Sequence, residues 1–126
     1  MNQIGWTAYV VAFVALLAII LVRRSGQVPK KQAAGLVKNG AIIVDVRNKD
    51  EFQRGHLSQA YNIPLNDIET LMMEKFRDRE KPILLHCQSG FRSARAKGRL
   101  ERLGYKHVYN MGSYERAFKI VSGRNL

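Results

Sequence analysis

Between residues 30 and 121, short apolar runs alternate with segments of helical character, and this alternation limits the fold more than any single residue does. Residues 41–46 are apolar and β-branched and read as a buried strand, 61–63 as a short strand ahead of Pro64, and 82–86 and 107–111 as two more. Between them, 30–38 has a helical pattern in Ala33, Ala34 and Val37, closed by Asn39-Gly40 as a C-cap. Residues 48–53 suit a short helix broken at Gly55-His56. Asn66 resembles an N-cap with Glu69 three residues on, opening a helix through Ile68, Leu71 and Met72. Residues 93–103 form the next expected helix, stopped by Gly104, and 114–121 the last. Strands separated by helices predict an α/β fold: a parallel sheet of four to five strands flanked by helices, with ligands beyond the C-terminal ends of the strands. There is no internal repeat and no low-complexity tract.

The N-terminal segment has a different character. Residues 4–22 are nineteen positions without a formal charge, ending abruptly at Arg23-Arg24. As a helix they cover about 28 Å, near the hydrocarbon thickness of a bilayer. A cleaved signal peptide fits less well, because no Lys or Arg precedes the run and no Ala-x-Ala site follows it. The expectation is one N-terminal transmembrane helix within an anchor over 1–24, a linker over 25–29 and a folded domain over 30–126. Trp6 and Tyr9 suit an interfacial aromatic belt, and Arg23, Arg24, Lys30 and Lys31 all lie on the C-terminal side. The positive-inside rule then puts the N-terminus outside and the domain in the cytoplasm, at the inner membrane of the cell, against an anionic membrane surface.

The formal net charge of +11 favours acidic partners, among them phospholipid head groups or an anionic substrate. Nucleic acid is disfavoured, since no stacking aromatics are interleaved with the charges of the 93–103 helix. One Cys and three His (His56, His86, His107), without paired spacing, do not make a zinc site, and neither a Walker nor a dinucleotide glycine motif is present. No metal or cofactor is expected.

Cys87, the single cysteine, lies where the 82–86 run ends and a turn with Gly90 begins. Gln88, Ser89, Gly90, Phe91 and Arg92 then lead into a helix, so backbone N–H groups and the positive end of the helix dipole converge near the thiol. A thiolate is stabilised in such a place and becomes a nucleophile. Arg92 has the planar fork to hold an anion. His86 should point opposite to Cys87 by strand alternation and reads as structural. Asp45 ends the first run at the same rim with Arg47 two residues on, and the two read as an ion pair bracing the loop. His56 reads as a hydrogen-bonded turn residue.

These residues carry a resemblance. Ile42-Ile43-Val44-Asp45-Val46-Arg47, Glu51-Phe52, Gly55-His56-Leu57, Ala60 and Asn62-Ile63-Pro64 resemble the first signature of rhodanese domains. His86-Cys87-Gln88-Ser89-Gly90-Phe91-Arg92-Ser93, Ala96, Leu100, Gly104-Tyr105, Val108 and Asn110 resemble the active-site segment. The resemblance implies a sulfurtransferase in which Cys87 carries sulfane sulfur as a persulfide, Gln88, Ser89, Gly90, Phe91 and Arg92 form its cradle, and Asp45 and Arg47 brace the loop. The donor would be thiosulfate or a persulfide-carrying protein, the acceptor cyanide or a thiol. Related phosphatases and arsenate reductases place five residues between Cys and Arg; the four here suit a single sulfur. The alternative is a non-catalytic docking module tethered to the membrane. The chain departs from the family pattern at Gln59, Lys97, Ser113 and Tyr114, positions on the donor-side rim and the last helices.

Overall fold

The computed structural model describes residues 3–124, except the side chains of Ile4 and of residues 22–25. An N-terminal helix α1 (Gln3–Ser25) precedes a domain whose elements run α2 (Lys30–Lys38), β1 (Ile42–Asp45), α3 (Lys49–Arg54), β2 (Ala60–Asn62), a 3-10 turn (Leu65–Asp67), α4 (Ile68–Lys75), β3 (Ile83–His86), α5 (Phe91–Arg102), β4 (Val108–Gly112) and α6 (Tyr114–Ser122). The four strands form one parallel sheet in the order β2-β1-β3-β4. Each strand is only three to five residues long. The β1 and β3 strands are buried along their whole length, which is why they read as continuous apolar runs rather than alternating ones.

Alternation along the strands divides the core into two layers. Ile42, Val44, Ile83, Leu85, Cys87 and Val108 pack with Ile68, Met72, Ala96 and Leu100 of α4 and α5. Ile43, Leu84 and Met111 face the other way, with Ala33 of α2 and Ala117 and Ile120 of α6. Each fully buried Leu or Ile contributes roughly 1.5–3 kcal/mol relative to exposure. Because β2 and β3 flank β1 on opposite sides, the chain reverses winding between β1 and β3. The loops after these two strands therefore face one crevice, where such sheets bind ligands.

Helix starts differ from expectation in two places. Asn66 sits inside the 3-10 turn, and α4 begins at Ile68 without a side-chain cap. The capping box lies instead at Asn48, whose side chain accepts from the Glu51 N–H while Glu51 accepts from the Asn48 N–H. The α5 helix starts at Phe91, two residues before the expected Ser93, because Gly90 adopts a left-handed conformation (φ 94°) that no other residue takes without strain.

Most large side chains along α1 are exposed, among them Trp6 (75%) and Tyr9 (78%). Yet among the described residues no helix is long and apolar enough to cross a membrane. The transmembrane helix expected over 4–22 is thus not found among the described residues. The side chains of Arg23 and Arg24, on which its orientation was argued, lie outside them.

Candidate active site

Cys87 follows β3 directly, and its backbone N–H donates to the Gly112 carbonyl (3.2 Å), tying the start of the loop to the end of β4. Its side chain falls on the α4/α5 face of the sheet and is fully buried. The chain then turns back over the sulfur: the Gly90 N–H lies 3.0 Å from Cys87 Sγ and the Ser93 hydroxyl 3.5 Å. Burial acts to raise the thiol pKa. The Ser93 hydroxyl and the N–H groups of Ser93, Gly90 and Ser89 act the other way, and together they bring it below its ordinary value. A loop that donates from several directions to one sulfur holds a sulfur anion, whether thiolate or persulfide.

The loop is held in shape by polar groups of neighbouring strands. Asn110 of β4 donates to the Gly90 carbonyl (3.3 Å) while its own side-chain oxygen accepts from the Gly112 N–H (2.8 Å). Gln88 offers its carbonyl to the Tyr114 N–H (3.3 Å) and its side-chain oxygen to Arg47 Nη1 (3.5 Å).

Across the crevice, Asp45 and Arg47 come together as a buried pair. Arg47 Nε lies 3.0 Å from both carboxylate oxygens, Nη2 2.8 Å from one of them, and the Arg47 N–H adds a further bond at 3.0 Å. Arg47 Nη2 also donates to the Gly55 carbonyl (2.7 Å), and the guanidinium carbon lies 4.7 Å from the Tyr114 ring centroid. Hydrogen bonding to Asp45 dominates over burial and raises the Arg47 pKa, so the cation is permanent. Asn62 of β2 donates to the carbonyls of Asp45 (3.1 Å) and Arg47 (2.9 Å) and fixes the turn between them.

His86 lies opposite Cys87, as alternation requires, and is paired in register with Asp45. Its Nδ1 is 3.2 Å from the Cys87 carbonyl, an acceptor, so this nitrogen carries the proton. Its Nε2, 3.7 Å from Asp45 Oδ2, has no hydrogen-bond partner. Burial outweighs the nearby carboxylate and lowers the His86 pKa, keeping the ring neutral. His56 stacks on Phe52 (3.7 Å between centroids) with Nδ1 2.8 Å from the Phe52 carbonyl, in an exposed turn.

Arg92, expected to reach for an anion, is turned aside. Its Nη1 and Nη2 donate to the two oxygens of Glu51, at 2.6 and 3.0 Å. Phe91 lies at the loop's rim, 47% exposed.

A family model for the rhodanese-like domain matches residues 28–117. The chain belongs to the rhodanese-like family. Among its curated relatives is YqhL of Bacillus subtilis, 39% identical over 71 residues, covering 56% of this chain and 55% of YqhL. The chain thus spans about half the length of that relative. The thiosulfate sulfurtransferase GlpE of Pseudomonas syringae is 30% identical over 90 residues, covering 71% of this chain and 83% of GlpE. Among solved structures, a rhodanese with anions from E. coli superposes with a TM-score of 0.59 at 30% identity, covering 61% of this chain and 91% of that one. Curated relatives, GlpE among them, carry the name thiosulfate sulfurtransferase.

Within this rhodanese-like domain, four residues of the site carried no assigned role in the sequence reading. Ser93 is a hydroxyl in the first turn of the helix that follows the loop, a position from which it can reach back to the sulfur; that was the available signal. Glu51 was legible as an N3 residue but not as the partner of Arg92, forty-one positions away. Asn62 and Asn110 meet the loop segments only through strand pairing; both belong to the resembling segments, but nothing local gives them a role.

Proposed function

We propose that this protein is a sulfurtransferase that carries sulfane sulfur on Cys87. The observation that carries the reading is the ring of donors aimed at one buried sulfur, with the Gly90 N–H at 3.0 Å. In the first half-reaction the Cys87 thiolate attacks the outer sulfur of thiosulfate, or the terminal sulfur of a persulfide. The donor's S–S bond breaks and its electron pair leaves on sulfite or on the donor thiol. The new Cys87 persulfide is an anion, and the N–H groups of Ser89, Gly90 and Ser93 stabilise it as they do the thiolate. In the second half-reaction a thiophile such as cyanide attacks the outer sulfur, leaves as thiocyanate, and restores the thiolate. Asp45 and Arg47 touch neither sulfur; they brace the loop through Gln88. The anions named for the E. coli structure fit a loop of this chemistry.

Thiosulfate should add the mass of one sulfur to the full-length protein, at Cys87 on peptide mapping, and cyanide should remove it as thiocyanate. If neither thiosulfate nor a protein persulfide loads Cys87, the reading fails.

We infer in addition that α1 attaches the domain to a lipid bilayer and holds the domain on its cytoplasmic side. The uncharged stretch from Gly5 to Leu21, with its exposed aromatic and aliphatic side chains, is what favours this reading. Lys30 and Lys31 then follow at an anionic surface. Residues 1–24 act as the anchor, 25–29 as the linker and 30–126 as the catalytic domain. The protein should remain with membranes through alkaline carbonate extraction; recovery in the supernatant overturns the attachment.

A further inference from the structure

Among the described residues, the guanidinium that hydrogen-bonds the cysteine loop and the one that belongs to it, Arg47 and Arg92, are each matched by a carboxylate. Arg47 is held by buried Asp45. Arg92, in the first turn of the helix that follows the cysteine loop, is held by both oxygens of Glu51. The pair is only part-buried, with side-chain exposures of 34% for Arg92 and 22% for Glu51, so a donor arriving at the loop can sense its charge. Glu51 is fixed in turn, since it closes the capping box of α3 by accepting from the Asn48 N–H. What the loop itself offers the incoming sulfur is a set of neutral N–H and O–H donors. Such a set suits one sulfur anion and gives a second negative charge on the donor little compensation.

From this geometry we propose that Glu51 is the positioning residue that sets donor choice, by withholding Arg92 from the donor. The proposal rests on the sulfurtransferase reading above and names its donor class: a thiol-borne persulfide, R–S–SH or its anion, in preference to thiosulfate. With the persulfide, a bond forms between Cys87 Sγ and the terminal sulfur while the R–S to sulfur bond breaks. The electron pair and the proton leave with R–SH, so no oxidant or reductant is consumed. With thiosulfate the same step must seat a dianion beside a cation that Glu51 has already neutralised.

Glu51→Gln is the informative variant, because the Gln side-chain oxygen can still accept from the Asn48 N–H and Arg92 Nη1 while the bond from Nη2 and the charge are gone. With full-length protein, its KM for thiosulfate should fall about five-fold at unchanged kcat, the scale of uncovering one partly exposed charge. Its KM for cysteine persulfide should stay within about two-fold, since that donor presents a single charge at the reacting sulfur. A merely structural role for Glu51 would move kcat for both donors together, and that result overturns the proposal, as does an unchanged or raised KM for thiosulfate. Loading of wild-type Cys87 by neither donor is a separate outcome that removes the sulfurtransferase reading itself, and the donor choice with it.

Discussion

Ser93 and Asp45 stand on opposite faces of the sheet, and hydrogen bonds lead from both to the cysteine loop, from Ser93 directly and from Asp45 by way of Arg47 and Gln88. The Ser93 hydroxyl reaches Cys87 Sγ from the first turn of α5, and it counters the burial that would otherwise hold the thiol protonated. Ser93→Ala should raise the thiol pKa and slow alkylation by iodoacetamide at neutral pH by up to about ten-fold, the worth of one hydrogen bond to an ionised sulfur. The pH profile checks the sign: the wild-type rate rises at lower pH than that of an unperturbed thiol, and the variant's rise shifts toward alkaline pH. Asp45 acts from the other side through Arg47. Asp45→Asn would leave a buried guanidinium with neutral partners and should cost about 3–5 kcal/mol in urea denaturation. The Asp45–Arg47 pairing could be read from spacing, because two residues apart on an extended chain share a side. The turning of Arg92 to Glu51 could not, because it needs α3 and α5 to start next to one another in space.

At the scale of elements, the loop works because a strand ends where a helix begins. Gly90 makes that junction in the left-handed region, and a Cβ there would stand 3.3 Å from the Gly112 backbone. Gly90→Ala should therefore lower stability by about 1–3 kcal/mol and, by moving the N–H aimed at Sγ, reduce thiol reactivity beyond that loss. The two effects separate when thermal denaturation and alkylation rate are compared. Leu100, buried in the layer between α5 and the sheet, gives the control: Leu100→Ala should cost about 2–5 kcal/mol with little change in thiol pKa. The strands and helices were legible because their periods of burial are local. The Asn66 cap was misplaced because Asn48 and Asn66 carry equal capping chemistry in sequence, and only the path of the chain after Pro64 makes a 3-10 turn of the second.

For the whole molecule, the sheet order brings the ends of β1 and β3 together and buries His86, the last residue of β3, beside Asp45. With its folded pKa depressed, His86 binds a proton more readily in the unfolded chain. Stability should fall as pH drops below about 6.5, the ordinary histidine value, and this loss should level off below the folded pKa. His86→Gln should flatten the curve of stability against pH over that range, measured by denaturant titration. The Glu51–Arg92 pair adds a second loss in the same sense at lower pH: the depressed Glu51 carboxyl gives stability above its unfolded pKa, which disappears as pH falls through its folded one. Being part-exposed, that pair contributes less than about 1 kcal/mol. The sequence alone determined the α/β class, the two brackets of the site at Asp45 and Cys87, and the uncharged N-terminal stretch, because each follows from hydrophobic period or turn chemistry within a few residues. The tertiary structure alone decided which polar groups meet across the crevice: Asn110 on Gly90, Asn62 on Arg47, and Glu51 on Arg92. Those contacts join residues distant in the chain, and strand order and helix placement, to which local patterns are blind, are what bring their side chains within hydrogen-bonding distance.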